Sequence, residues 1–344
     1  MNGRNERLRL GAISFDHPHQ FGWFRAARDL PMVELVAAAE PVAEQRAAAH
    51  AALPEGVPLL ADPAELLARD DIDAVTICSA NVHHRGQAEA ALRAGKHVLL
   101  EKPIATNLVD ATALRATAAA TGRHLAPAYP CRFDRRAVDA KRRVDGGQIG
   151  RVLAMHATNH LQKTPEGWFV DPERSGGGTI MDHIVHGIDL MRWIGGREVA
   201  EIYAEMGTLA RPELRVDDVA MLVITFEGGV VGSCDPSWDR PLRSTGWGDV
   251  SLRILGTEGA LEFDLTGQFL TRTLDGEAGA GVKNVQFGDN MNELLMKEFA
   301  EALLDGRPPA VTDVDGWCGV ACIEAAYESA RSHRAVKVAG LPGD

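Results

Sequence analysis

At 344 residues, 45% hydrophobic and 24% charged, the chain has the size and balance of a globular protein of two domains, each able to bury a full core. Its formal net charge of −12 and pI of about 5.5 disfavour nucleic acid and anionic membrane as partners, because both reward clustered Lys and Arg. No N-terminal apolar run resembles a secretion signal and no stretch approaches the length of a membrane span, while five scattered cysteines, an odd number, read as thiols of a reducing cytoplasm.

The first half alternates strands and helices. The strand RLRLGAI (7–13) runs into the turn Ser14-Phe15-Asp16-His17-Pro18-His19, at a place where a nucleotide-binding protein carries glycines. A helix is expected from about Phe21 to Leu30, then the strand VELVAAA (33–39), helices in 41–53 and 63–70, and the strand AVTICSA (74–80). A helix over 85–95 closes on Gly95 and leads to the strand HVLLEKP (97–103). A further helix opens behind Thr106 or Asn107 and closes at Gly122. The strands are apolar throughout rather than alternating, as in a parallel sheet covered on both faces, which predicts an α/β, Rossmann-type doubly wound domain over 1–128.

Residues 129–344 are expected to form an α+β domain with a large, mainly antiparallel open sheet. Its strands lie in 150–160, 199–209, 216–229, 230–238, 250–259 and 260–265, with EGG and GTEG as hairpin turns. Helices are expected at about 179–194, 290–305 and 312–332. Cys318 and Cys322, four apart on the last helix, read as small buried hydrophobes rather than a metal pair. In DDVAMLVITFEGG, Met221, Val223 and Thr225 share one strand face and Leu222, Ile224 and Phe226 the other. Two apolar faces on an antiparallel strand call for helices on one side and a partner subunit on the other.

Two constellations carry chemistry. Lys102 ends a strand of the doubly wound sheet, where ligands bind outside the carboxyl ends, and Pro103 holds it extended. It is either a donor to a substrate oxygen or a solvated lysine on a surface loop, and the residues alone leave both open. In SGGGTIMDHIVHGIDLMRW (175–193), Asp182 and His186 are four apart and share a helix face, with Ile184, Ile188 and Met191 as core. The pair suits general-base chemistry, or is a helix cap with surface polar residues. A metal reading would add His183 and one of His156 or His160, although neighbours on a helix project about 100° apart.

Taken together, SANVHHRGQAEAALRAGKHVLLEKPIAT (79–106), YPCRFDRRAVDAKRRVDGGQIGRV (129–152), GGGTIMDHIVHGIDLMRWIGG (176–196) and IEAAYESARSHRAVKV (323–338) resemble the glucose–fructose oxidoreductase, inositol dehydrogenase and rhizopine-catabolism family (Gfo/Idh/MocA). The resemblance implies NAD-dependent hydride transfer on a hydroxyl carbon of a sugar or cyclitol. It implies Lys102, Asp182 and His186 as catalytic residues, with His186 as base. Ser14, Phe15, Asp16, Glu40, Ser79, Asn81, His84, Glu101 and Lys102 would bind the cofactor, and Arg132 and His183 the substrate. No metal is implied, and a homodimer or homotetramer through the second-half sheet is.

The chain departs from that pattern where the phosphates would lie: Ser14 and Asp16 stand in glycine positions, and a carboxylate there repels phosphate. His17 and His19 are placed to offset it. Glu40 ends the second strand, where an acidic residue accepts ribose hydroxyls and favours NAD over NADP. Two alternatives use the same frame: non-redox net chemistry through a transient ketone, or a cofactor-free regulatory protein holding a metal on Asp16, His17, His19 and His183.

Overall fold

The strands that are apolar on both faces assemble side by side, and their common direction fixes where the functional loops meet. The computed structural model describes residues 7–162, 166–241, 243–246, 248–274, 281–286 and 288–342. The first half runs β1 (Leu8–Ile13), α1 (His19–Asp29), β2 (Val33–Ala39), α2 (Arg46–Ala52), β3 (Leu59–Leu60), α3 (Pro63–Leu67), β4 (Ala74–Ile77), α4 (His84–Arg93), β5 (His97–Leu100), α5 (Leu108–Thr121) and β6 (Leu125–Pro127). Then come α6 (Arg135–Asp145), β7 (Val152–Thr158), α7 (Pro172–Ser175), α8 (Thr179–Gly195), β8 (Val199–Gly207), β9 (Val219–Phe226) and β10 (Val231–Asp235). The chain continues through β11 (Ser251–Gly256), β12 (Ala260–Asp264), β13 (Phe269–Leu274), β14 (Gly281–Gln286), α9 (Met291–Asp305), α10 (Asp313–Ser332) and β15 (Val336–Lys337).

The chain divides into two compact units: Met1–Pro130 with Met291–Val320, and Cys131–Asn290 with Ala321–Asp344. A single cut between 128 and 129 therefore leaves out the return of α9 and the start of α10 to the first unit. The physical reason is apolar: Leu295, Met296 and Phe299 of α9 are buried, and the helix packs on α1 and β1.

In the first unit the sheet order is β3-β2-β1-β4-β5-β6, and the pairs are parallel. β3 and β6 have only two and three residues, too few to show a period in sequence. The order reverses between β1 and β4, so the loops after them flank the crevice at which doubly wound sheets bind ligands. The expected caps of α5 are present: Asn107 Oδ1 accepts the Asp110 N–H (2.9 Å), and Gly122 is left-handed at φ 64°.

The second unit holds a seven-stranded sheet in the order β12-β11-β7-β10-β9-β8-β15. It is antiparallel except for β7 against β10. The two hairpin turns join β9 to β10 and β11 to β12, as the Gly spacing predicts. α8 lies against one face. The other bears Met221, Val223, Val231 and Leu255, which are 48%, 53%, 51% and 42% exposed, while Leu222, Ile224 and Phe226 point into the core. All five cysteines are free and buried, Cys318 and Cys322 among them. Among the described residues no helix is long and apolar enough to cross a membrane.

Candidate active site

The loop after β1 keeps the bend of a glycine turn without the glycine. Ser14 has φ 65°, the left-handed conformation that glycine adopts at no steric cost. Ser14 Oγ accepts the Asp16 N–H (3.3 Å), which locally supports the turn. Phe15 donates its N–H to Glu40 Oε2, and its ring turns inward to pack on Phe21 and Phe24. The contribution of Phe15 to a ligand is thereby limited to its backbone. Glu40 is fully buried, and its other oxygen accepts the Val42 N–H (2.8 Å). Burial pushes its carboxyl up, against the backbone N–H groups of Val42 and Phe15. Asp16 is half-buried beside them.

At the end of β5, Glu101 is a buried carboxylate. Its Oε1 accepts the Lys102 N–H (3.1 Å), and its Oε2 faces His19 Nδ1 (3.2 Å) and accepts from Trp23 Nε1 (3.4 Å). Burial works to raise its pKa, but the charges of His19 and His17, the His19 hydrogen bond and the Lys102 charge outweigh it, holding the carboxyl well below the usual range. Lys102 is itself buried at the strand end. Ser79 and Asn81 sit in the loop after β4, both buried. Ser79 Oγ has no hydrogen-bond partner among the described residues, an orphan that a ligand hydroxyl or phosphate at this strand end would satisfy. His84 is fully buried, with Nδ1 at Pro103 O (2.7 Å) and Nε2 at Ser79 O (3.1 Å). It braces the loops after β4 and β5 and presents no open ring edge, so the direct cofactor contact expected of it is replaced by a bracing role.

In the second unit, α8 is positioned from both ends. Gly178 approaches the 217 backbone so closely that a Cβ there would stand 1.8 Å from Asp217 O. Asp217 Oδ1 accepts from Gly178 N (3.0 Å) and Tyr327 Oη (2.9 Å), and Oδ2 from Ile180 N (2.9 Å), so a buried carboxylate caps the helix. Further along, Arg132 makes a bidentate pair with Asp189 (2.7 and 2.5 Å) and lies over the Trp193 ring. The guanidinium expected at the substrate is thus engaged in holding α8. Between these anchors Asp182 and His186 lie one turn apart, with Ile184, Ile188 and Met191 in the core as expected. His183 does not project away from Asp182: its Nε2 is 3.1 Å from Asp182 Oδ2, and its Nδ1 faces Asn159 O (2.9 Å) and Pro236 O (3.0 Å). It orients Asp182.

His160 lies between two carboxylates, Asp235 (3.2 Å at Nε2) and Asp249 (2.9 Å at Nδ1), with Arg240 also on Asp249. Hydrogen bonds to Asp235 and Asp249 push its pKa to about 10. Both ring nitrogens are committed, so it is not a metal ligand; His156 lies exposed on β7 with Ser233. Sequence reasoning names His160 only as a metal candidate, and misses its carboxylate partners Asp235 and Asp249 as well as Asp217 and Tyr327. The one hint was the paired Asp217-Asp218 set directly before an apolar strand, where carboxylates must find buried partners.

Residues 11–129 match the sequence profile described as "Oxidoreductase family, NAD-binding Rossmann fold", and residues 137–262 match the GFO/IDH/MocA C-terminal domain. The chain is 30% identical to the myo-inositol 2-dehydrogenase of Thermotoga maritima, over 82% of its own length and 84% of the relative's. The chain belongs to the Gfo/Idh/MocA oxidoreductase family. This oxidoreductase is also 31% identical to inositol 2-dehydrogenase 2 of Saccharopolyspora erythraea, covering 86% of this chain and 85% of that one. Among solved structures, GenD2 from gentamicin A biosynthesis, in complex with NAD, superposes with a TM-score of 0.88 at 25% identity over 98% of both chains. The first unit is an NAD-binding Rossmann domain. The Ser14 bend and the unsatisfied Ser79 Oγ at the strand ends fit that cofactor, whereas Glu40, expected to accept ribose hydroxyls, is fully buried with both oxygens on the Phe15 and Val42 N–H groups.

Ser14→Gly should stabilise the oxidoreductase by about 0.5–1 kcal/mol in urea unfolding, the left-handed penalty relieved less the Ser14 Oγ hydrogen bond lost. A destabilised variant would show that the hydroxyl outweighs the backbone. The folded pKa of His160, about 10, lies above its ordinary 6.5. Its contribution is therefore complete below about 6.5 and is lost as pH rises through about 10. The stability gap between the native protein and His160→Gln should accordingly narrow across that window. A gap independent of pH would mean that His160 is not paired as an imidazolium.

Proposed function

We propose that this NAD-dependent oxidoreductase interconverts a secondary hydroxyl and a ketone on a sugar or cyclitol. The observation that carries the reading is α8, which presents Asp182 and His186 on one face while Asp217 and Arg132 fix its two ends. The relatives named as inositol dehydrogenases support the substrate class. When bound, NAD would supply the two-electron acceptor for the hydride of the carbinol carbon. His186 takes the hydroxyl proton, so that the carbinol loses a hydride and a proton and becomes the ketone. Lys102 stabilises the alkoxide character that develops on oxygen as the proton leaves. Asp182 lies in the first turn of α8, where the helix dipole favours its charge, and with His183 behind it orients a neighbouring substrate hydroxyl. Asp16, Phe15 and Asn81 contribute loop contacts to the cofactor, and Glu40, at the end of β2, favours NAD over NADP by repelling a 2′-phosphate.

Lys102→Ala and His186→Ala should each lower turnover by about 10² or more on a polyol that the native protein oxidises, the scale of losing a positioned acid–base or oxyanion-stabilising group. NADH binding, read by fluorescence, should survive His186→Ala. Turnover within threefold of native in either variant would remove that residue from the chemistry.

We further propose that the protein is a cytoplasmic homodimer or homotetramer built on the exposed sheet face of Met221, Val223, Val231 and Leu255. Met221, Val223 and Val231 lie on the adjacent strands β9 and β10, and Leu255 on β11 follows across β7, where Ala154 pairs with both Val231 and Leu255, forming a patch that a second copy would cover. Light scattering should give a multiple of 37.0 kDa, and Val223→Asp should reduce it towards the single-chain mass. A native mass of one chain at micromolar concentration would exclude this interface.

A further inference from the structure

The loop after β1 contains two histidines and no glycine, and the structure sets both histidines beside a buried carboxylate. We propose that His17, His19 and Glu101 form a binding site for one divalent transition-metal ion of the zinc class. Each offers one ligand atom, and the three atoms lie within 4.8 Å of one another. The two imidazole rings approach to 4.2 Å between centroids, tilted by 54°. Donors around a tetrahedral zinc are separated by roughly 3.3 Å, given bonds of about 2.0–2.2 Å. Closing the difference needs a shift of at most about 1.5 Å, and His19, whose side chain is 45% exposed, has room to move.

The donors come from three points of a rigid frame. His17 is tied through its N–H to Cys78 O (2.9 Å) just after β4, His19 opens α1, and Glu101 follows β5. All three stand at carboxyl ends of the parallel sheet, where ligands of such folds bind. Outer hydrogen bonds hold the carboxylate as metal sites require: Trp23 Nε1 and Lys102 N donate to the two oxygens of Glu101. His17 Nδ1 accepts the His19 N–H (3.1 Å); ligation through His17 gives up that contact, at Nδ1 by using its lone pair and at Nε2 by moving the ring proton to Nδ1. The buried carboxylate needs compensating positive charge. An ion supplies it with both imidazoles neutral. Two imidazoles and one carboxylate suit zinc-class ions better than calcium or magnesium, and three protein donors leave a coordination position open.

The site deepens the NAD reading and rests on it for its purpose. A doubly charged ion next to this loop offsets Asp16, the carboxylate that a pyrophosphate would otherwise meet. Metal-stripped protein titrated with Co²⁺ should develop visible absorption saturating at one ion per chain, and Zn²⁺ should show the same stoichiometry by calorimetry. His19→Ala, at an exposed position, and Glu101→Gln should each weaken Zn²⁺ binding at least tenfold, whereas His50→Ala on α2 should not. NADH affinity, measured separately with and without Zn²⁺, should rise with the metal. Absence of saturable binding, or Zn²⁺ affinity unchanged in His19→Ala, would overturn the site and leave a metal-free hydrogen-bonded cluster. NADH affinity indifferent to Zn²⁺ would overturn the role in cofactor binding. Failure of NADH to bind under either condition, with Zn²⁺ still held, would count against the NAD reading and not against the metal.

Discussion

A carboxylate removed from water must find its full set of donors, and in this protein three such carboxylates determine the shape of the functional loops. Glu40 takes the Phe15 and Val42 N–H groups and so sets the turn after β1. Glu101 takes the Lys102 N–H and the Trp23 indole, joining the end of β5 to the helix that follows the turn. Asp217 takes two N–H groups and a tyrosine hydroxyl at the head of α8. Each side chain replaces solvent with fixed donors. Each loop is thus arranged before any ligand arrives, which lowers the ordering cost of binding.

Much of the architecture was legible because it depends on local, repeated signals. The apolar strands, the Asn107 and Gly122 caps and the hairpin glycines each announce themselves within a few residues. Illegible elements were short or paid their dues far away in sequence. β3 and β6 are too brief to show a period, and α9 belongs to the first unit because of an apolar face whose partner lies more than 260 residues earlier.

The site divides in the same way. The Asp182–His186 spacing is a property of one helix and could be read directly. The roles of Arg132, His183 and His84 could not, because each depends on a distant acceptor: Asp189, Asp182 with two strand-end carbonyls, and the Ser79 and Pro103 carbonyls. Nor could the meeting of His17 and His19 with Glu101 be read, since 82 residues separate His19 from its carboxylate. Ser14 is instructive in the opposite direction. Its side chain gives no sign of a glycine turn, yet its backbone adopts the conformation that glycine takes at no steric cost, so the bend is present without the residue that announces it.

The composition of the first unit from two separated lengths of chain has a consequence for biosynthesis. The sheet and α1 are translated early, but α9, which covers part of them, is supplied only from residue 291 onward. On the ribosome the apolar surface of α1 and β1 therefore waits, uncovered, through synthesis of almost the entire second unit. At about 5–20 residues per second that interval lasts on the order of ten seconds or more, long against the folding of either unit. Through that interval the surface is open to whatever binds exposed apolar segments, and α9 is the latch that closes it.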